Sequence, residues 1–213
     1  MSLIVSASSG GGTFVQVPVG MHLARCYRII DLGTQTTEYK GQVKLSPKVL
    51  LQFEVHSEDD DGNALLTTDG KPLSISKQYT LSLNENAILR RDLQSWLSRV
   101  FGKNEKFKLD EILGEWCMLN VVHSEYNGKN YSNIDNINPV PGAIKKNGLP
   151  KAVNNAKMFS ISEADMELFD SLSENLQAKI KLSPEWESWK GAPATKKEAP
   201  KDSFDDLEDD VPF

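Results

Sequence analysis

The chain has 213 residues, of which 39% are apolar, 25% charged and 8% aromatic. These proportions exclude a collagen-like, wholly disordered or helical membrane-spanning class and suit one domain with extensions. The formal charge of 24 − 30 = −6 argues at first against a nucleic-acid binder, but residues 202–213 hold six acids (Asp202, Asp205, Asp206, Glu208, Asp209, Asp210) and no Lys or Arg, so residues 1–201 carry 24 charges of each sign. A neutral body can still present a locally basic groove.

Residues 1–19, with Ser8-Ser9-Gly10-Gly11-Gly12, read as a flexible arm. No Gly-Lys-Ser/Thr follows to make a phosphate loop, and no basic flank with an apolar run marks a secretory signal, so a cytoplasmic location is expected. From Gly20 the pattern is that of strands: His22 to Gly33, then Lys48 to His56, then Leu73 to Leu81. In the second, Gln52, Glu54 and His56 alternate with Leu51, Phe53 and Val55, the period of a half-buried strand.

The period then lengthens. Leu89, Leu93, Trp96, Leu97, Val100 and Phe101 predict a helix, with Ser82 and Glu85 as a capping box, Asn84 as a rival cap and Gly102 as the stop. Glu115 to His123 reads as a fourth strand, joined through Asn127-Gly128 to a fifth over Lys129 to Ile137. Three strands, a helix and two strands is the element order of the OB fold, a five-stranded, partly open barrel that binds oligonucleotides and oligosaccharides. The expectation is therefore a mainly β OB domain over 20–140, with one helix between strands 3 and 4. A basic loop and helical extension over 141–190 and a disordered linker and acidic tail over 191–213 follow it. Within the extension, Met166, Phe169, Leu172, Leu176 and Ile180 predict one amphipathic helix over 162–181. Ser183-Pro184 predicts the cap and first residue of a further turn.

Catalytic patterns are lacking. His22, His56 and His123 fall one on each of three strands, without HExxH or CxxC spacing, and no metal or cofactor is implied. Asp59-Asp60-Asp61-Gly62 fails as a calcium loop, because Ser57 and Thr68 stand where its first ligand and its bidentate Glu belong. Cys26 and Cys117, each inside an apolar run, read as small buried hydrophobes. The reading is a non-enzyme.

Binding patterns are richer. Sequence-tolerant capture of single strands needs cations for phosphates and aromatic faces for bases. Arg25, Tyr27 and Arg28 lie on the first strand, Lys44 and Lys48 at the second, Lys77 and Tyr79 on one face of the third, and Tyr126, Lys129 and Tyr131 at the last hairpin. Each alone fits a packing or edge role equally well; the set favours binding. Tyr79 and Tyr131 are the expected stacking rings, with Trp96 and Trp116 in the core. At the C-terminus, Asp209, Asp210, Val211, Pro212 and Phe213 form an anionic segment with a stiff apolar hook, suited to a hydrophobic pocket rimmed by cations on a partner protein.

That ending, Glu208-Asp209-Asp210-Val211-Pro212-Phe213, resembles the acidic tip of bacterial single-stranded DNA-binding proteins, with Glu208 and Val211 as mild departures. The body is similar to phage-encoded single-stranded DNA-binding proteins over most of residues 20–190. The likeness runs through Tyr27-Arg28-Ile29-Ile30-Asp31-Leu32-Gly33-Thr34-Gln35, Leu89-Arg90-Arg91-Asp92-Leu93-Gln94-Ser95-Trp96, Leu113-Gly114-Glu115-Trp116-Cys117, and Leu176-Gln177-Ala178-Lys179-Ile180 before Ser183-Pro184-Glu185. The resemblance implies an OB fold and a protein that coats single-stranded DNA in replication or recombination and recruits replication, recombination or repair proteins through its tip. It leaves the DNA-contacting residues to the alternation argument and homo-oligomerisation open. The alternative is a protein-interaction or inhibitory module whose tail mimics DNA.

Overall fold

The computed structural model describes residues 16–39, 42–59 and 61–189; the acidic segment 202–213, with Asp209, Asp210, Val211, Pro212 and Phe213, lies outside them. Strands β1 (Gly20–Tyr39), β2 (Gln42–Val55), β3 (Ser74–Thr80), β4 (Trp116–Tyr126) and β5 (Lys129–Asn138) form an antiparallel sheet in the order β3-β2-β1-β4-β5. A short β6 (Lys157–Phe159) runs parallel to β1 beside Arg28, Ile29 and Ile30. Helix α1 (Ile88–Leu97) lies between β3 and β4, as expected. The sheet is not closed into a barrel. β3 and β5 end the hydrogen-bonded path and pack side by side without a ladder between them.

β1 is longer than its sequence pattern suggested, at 20 residues, and is the only described strand paired with three others. Its first six residues, Gly20 to Arg25, pair with β4, and Ala24 onward pairs with β2. Bulges at Tyr27 and Leu32 each insert one unpaired residue. An extra residue reverses which face the following side chains meet. Cys26 and Ile29 therefore share the inner core although an odd number apart, and Ile30 and Leu32 point to the opposite side. That phase slip is why β1 does not alternate cleanly.

The inner core joins Phe53, Leu51 and Val55 of β2, Leu119 and Val121 of β4, Ile134 and Ile137 of β5, and Leu89, Leu93 and Trp96 of α1. Phe53 and Trp96 meet with ring centroids 5.9 Å apart. Cys26 and Cys117 are unpaired thiols in this core, and burial pushes Cys26 up to about 12, which makes it an inert apolar filler. Helix α1 starts after Ala87 with no side-chain cap, so neither Ser82 nor Asn84 performs that role. It also ends early: Ser98 adopts the left-handed conformation at φ 50, and Val100 is exposed. The helical spacing of Val100 and Phe101 is thus coincidental. The Asn127-Gly128 turn behaves as read, both residues taking positive φ (51 and 72) as the two-residue hairpin requires.

The extension packs against the outer face of β1 and β2. It is not one helix: after α2 (Gly142–Asn147) and β6 come α3 (Met166–Asp170), α4 (Glu174–Lys181) and α5 (Pro184–Trp189). Asp165 accepts from the Leu168 N–H and Ser173 from the Leu176 N–H, so each short helix opens with its own cap where a continuous helix was expected. Ser183 caps α5 and Pro184 is its first residue, as the sequence indicates. Phe159, Ile161, Leu168, Phe169, Leu172, Ile180 and Trp186 cover Ile30, Leu32 and Leu50. Phe169 and Trp186 stack at 4.4 Å.

Polar clamps fix where this layer sits. Asp31 accepts from the N–H groups of Gly33 and Ile161, and burial raises its carboxyl above the ordinary value. The Thr34 N–H and hydroxyl donate to Glu185 at 2.8 and 2.5 Å, and Gln35 Nε2 donates to the Lys179 carbonyl at 3.0 Å. Gly33 holds φ 66, and a Cβ there would stand 2.5 Å from Ser183 Cβ and 2.9 Å from a Glu185 carboxylate oxygen. Two segments far apart in sequence, Asp31–Gln35 and Ser183–Glu185, thus form one joint.

At the other end the chain packs from Gln16, earlier than the expected boundary at 20. Val17 is buried, and its carbonyl accepts from His123 Nε2 and Ser132 Oγ at 2.8 Å each. His22 Nε2 bonds the Pro18 carbonyl at 2.8 Å. No described helix is long and apolar enough to cross a membrane.

Gly33→Ala is expected to cost at least about 1–3 kcal/mol from the left-handed backbone alone, before the clash with Ser183. Limited proteolysis should then cut within 157–189 while the β1–β5 sheet persists. An unchanged denaturation midpoint and cleavage pattern would contradict the joint.

Candidate nucleic-acid interface

The alternation on β3 is real, and the expected face is reversed. Ile75, Lys77 and Tyr79 share a face, and it is the inner one. Tyr79 is 1% exposed; its hydroxyl donates to Asp92 Oδ2 at 2.9 Å. Burial, then the Asp92 charge, pushes its hydroxyl well above the ordinary value. Lys77 Nζ reaches the same Asp92 oxygen at 2.9 Å and also donates to the Asp135 carbonyl at 2.9 Å. Asp135 is the residue that the β5 bulge leaves unpaired, so its carbonyl is available to Lys77. Lys77 thereby links β3 to β5 where no ladder does. Tyr79 offers no face to a base, and Lys77 is committed to the fold; both leave the candidate set.

Arg25 leaves it too. Its Nε donates to the Gly114 carbonyl at 3.0 Å, and its Nη1 to Glu54 Oε1 at 3.2 Å and the Asn154 carbonyl at 3.0 Å. Glu54 is 0% exposed and also accepts from the Asn154 N–H and Nδ2 at 2.7 Å each. Burial alone would raise its carboxyl, but the Asn154 bonds, then Arg25 and His56, hold it below the ordinary 4.5. Trp116, expected in the core, is half-buried on this outer side, edge-on to His56 with centroids 4.9 Å apart. It faces the same way as Arg25 because the two are register partners. Trp96 is in the core as expected, its Nε1 donating to the Trp116 carbonyl.

The outward row of β3 is Ser74, Ser76, Gln78 and Thr80, all polar and all exposed or half-buried. Beside it on β2 stand Glu54, Gln52, Leu50 and Lys48 in register. Arg28 of β1 is the register partner of Gln52. Arg28 Nε and Gln52 Oε1 are buried with no hydrogen-bond partner, and the guanidinium lies 5.7 Å from the Tyr27 ring centroid. Tyr27 is the bulge residue, mostly enclosed, its hydroxyl 3.4 Å from Ser74 Oγ. Lys48 Nζ donates to Thr80 Oγ1 at 2.7 Å.

This row borders a groove of about 560 Å³ between β3 and β5, lined by Ser74, Ser76, Lys129 and Tyr131 and floored by Val17. Tyr131 is half-buried there, and Lys129 and Tyr126 are exposed at the hairpin. Lys44 lies apart, exposed on the β1–β2 ribbon with Val43 and Leu45. The structure thus places Lys129 and Tyr131 with Ser74 and Ser76 on one groove and Arg28 beside it through Gln52, whereas Tyr27 and Lys48 are themselves buried. Sequence reasoning missed Gln52, Ser76 and Gln78; the signal was that one parity of β3 is wholly polar while the other contains Ile75. Among the described residues no group of three or more His, Cys, Asp or Glu is gathered to hold a metal.

No protein-family model and no curated protein sequence matches the chain.

Tyr79→Ala is expected to destabilise the fold by about 3–5 kcal/mol, as loss of an enclosed ring does; a denaturation midpoint within error of the parent would contradict its placement. Glu54 predicts the acid limb. A carboxyl whose folded value lies below its unfolded value stabilises fully above the unfolded value, and that stability is lost as pH falls through the folded one. Urea denaturation from neutral pH to below 4.5 should show a shallower acid loss for Glu54→Gln than for the parent. Identical limbs would show that Glu54 does not contribute.

Proposed function

We propose that this protein binds single-stranded DNA with an OB-type domain, the strand running along the outward row of β3 and into the β3/β5 groove. The strand order with a helix between β3 and β4 supports an OB reading in which the seam between β3 and β5 is bridged by Lys77 instead of a ladder. The observation that carries the proposal is the outward row of Ser74, Ser76, Gln78 and Thr80 flanked by Arg28 and Lys129, with Tyr131 beside it. Cations meet the phosphates, the small polar side chains let the backbone approach closely, and a tyrosine ring supplies a sequence-tolerant platform.

The likeness of the sequence to phage-encoded single-stranded DNA-binding proteins supports the same reading and extends it to replication or recombination. In that reading the acidic segment 202–213 recruits partner enzymes. The exposed Val43 and Leu45 on the β1–β2 ribbon favour the alternative of a protein-binding module; their substitution by Ser would then abolish a protein contact and leave DNA binding intact.

Fluorescence titration should give tighter binding to an unstructured oligonucleotide than to its duplex, with log affinity falling against log salt by about 0.7 per phosphate neutralised. Tyr131→Ala should weaken binding by about 1–3 kcal/mol with little change in stability. Equal affinity for duplex and single strand, or no response to salt, would overturn the proposal.

A further inference from the structure

One polar row crosses the outer side of the sheet between two covered ones. Lys157 of β6, Arg28 of β1, Gln52 of β2 and Ser76 of β3 are register partners in turn. On one side of it, Arg25 and Glu54 are bonded to Asn154, which lies over them. On the other, Ile30 and Leu50 are covered by Phe159 and the apolar side chains of the extension. The row between stays open: Ser76 and Lys157 are exposed, and Arg28 and Gln52 are half-buried. Ser76 also lines the groove beside β5, so the row leads off the proposed path of the strand.

Two unmade bonds stand on neighbouring strands in this row. Arg28 Nε, a donor, and Gln52 Oε1, an acceptor, are enclosed without a hydrogen-bond partner among the described residues. Glu54, on the same face two residues along β2, is committed to Arg25 and Asn154. The Arg28 guanidinium has only the Tyr27 ring near it, 5.7 Å from the centroid, among the described residues. Enclosed polar groups without partners are uncommon in folded proteins. Because neither atom is bonded, turning both half-exposed side chains toward a ligand breaks no hydrogen bond.

A ligand that satisfies both must bring an acceptor and a donor together. A phosphodiester carries acceptors alone and leaves Gln52 unmet, whereas the edge of an unstacked base carries both. The guanidinium fork takes two adjacent acceptors, and the Gln52 oxygen takes one donor beside them. Cytosine offers that order in O2, N3 and its amino group, and guanine in N7, O6 and N1–H. Thymine sets its N–H between two carbonyls, and adenine sets its amino group between two ring nitrogens. Neither presents two adjacent acceptors.

We propose that Arg28 and Gln52 form a base-reading site, which takes the edge of one cytosine or guanine of the bound strand. The site rests on the single-strand reading above and adds a base preference to it. Of the two cations that flank the outward row, Lys129 meets phosphate and Arg28 meets a base.

The test is fluorescence titration of the full chain at neutral pH and one salt concentration. The probes are oligodeoxythymidylate, oligodeoxycytidylate of the same length, and a thymine tract carrying spaced guanines. The parent should bind the second and third at least about fivefold more tightly than the first, the lower bound for a two-bond base contact. Gln52→Leu and Arg28→Lys both keep the charge of the chain; one removes the acceptor and the other the fork. Each should bring the three affinities together. The melting temperature of Gln52→Leu should be no lower than the parent's, since no bond is lost. A parent that binds none of the probes contradicts the proposed function itself. A parent that binds them without this preference, or a preference that survives in either variant, overturns this site alone. A lower melting temperature for Gln52→Leu would show that the amide is bonded within the free chain, and would overturn the site as well.

Discussion

The close approach of Ser183 to Gly33 is the constraint on which the outer half of this molecule depends. Any side chain at position 33 would occupy the space that Ser183 and Glu185 fill, and the left-handed backbone there lets β1 present Thr34 and Gln35 to the extension. The magnitudes divide the work. Each enclosed apolar side chain contributes about 1.5–3 kcal/mol on burial, and each neutral hydrogen bond about 0.5–1.5. The cluster around Phe159, Phe169 and Trp186 therefore holds the extension on, while the Thr34, Gln35 and Asp31 bonds decide where it rests. Apolar packing alone tolerates sliding; a lysine that must reach Gln78 does not.

Two buried ionic networks account for much of the remaining order. Glu54 gathers Arg25, His56 and Asn154, tying the chain after α2 back to the sheet. Asp92 gathers Lys77 and Tyr79 and, through Lys77, joins β3 to β5. Removing one member of such a network strands the others, at about 3–5 kcal/mol for a buried pair. The cations inside these networks are thereby withdrawn from ligands.

The parts of the fold most legible in the sequence were those governed by local chemistry. Asn127-Gly128 specifies a turn with two positive φ values, and Ser183-Pro184 specifies a helix start, so the β4–β5 hairpin and the opening of α5 were readable directly. β1 was harder because its two bulges reset the alternation, and among the described residues its stretch from Gly33 onward pairs only with β2, which leaves Thr36 and Glu38 exposed. The helix expected over 162–181 failed because periodicity cannot detect a cap such as Ser173 interrupting an apolar stripe. The site was half legible. Alternation on β3 was visible, yet Lys and Tyr look like ligand residues and Ser and Gln look like filler. The inward parity was readable from Ile75, but not that Asp92, from a helix a dozen residues on, would enclose Lys77 and Tyr79 as polar partners. The contact of Lys179 with Gln78 is invisible in sequence, since it depends on a joint between positions 33 and 183.

The central proposal is that the outward row of β3, with the groove beside β5, is where the strand lies. Amide chemical-shift mapping of the full chain during titration with oligothymidylate tests it most directly. The account predicts shifts concentrated at Gln52, Ser76, Gln78, Thr80 and Tyr131, with the Arg25–Glu54–Asn154 network and the Asp92 network quiet. Shifts confined to the β1–β2 ribbon, or to surfaces remote from β3, would contradict it.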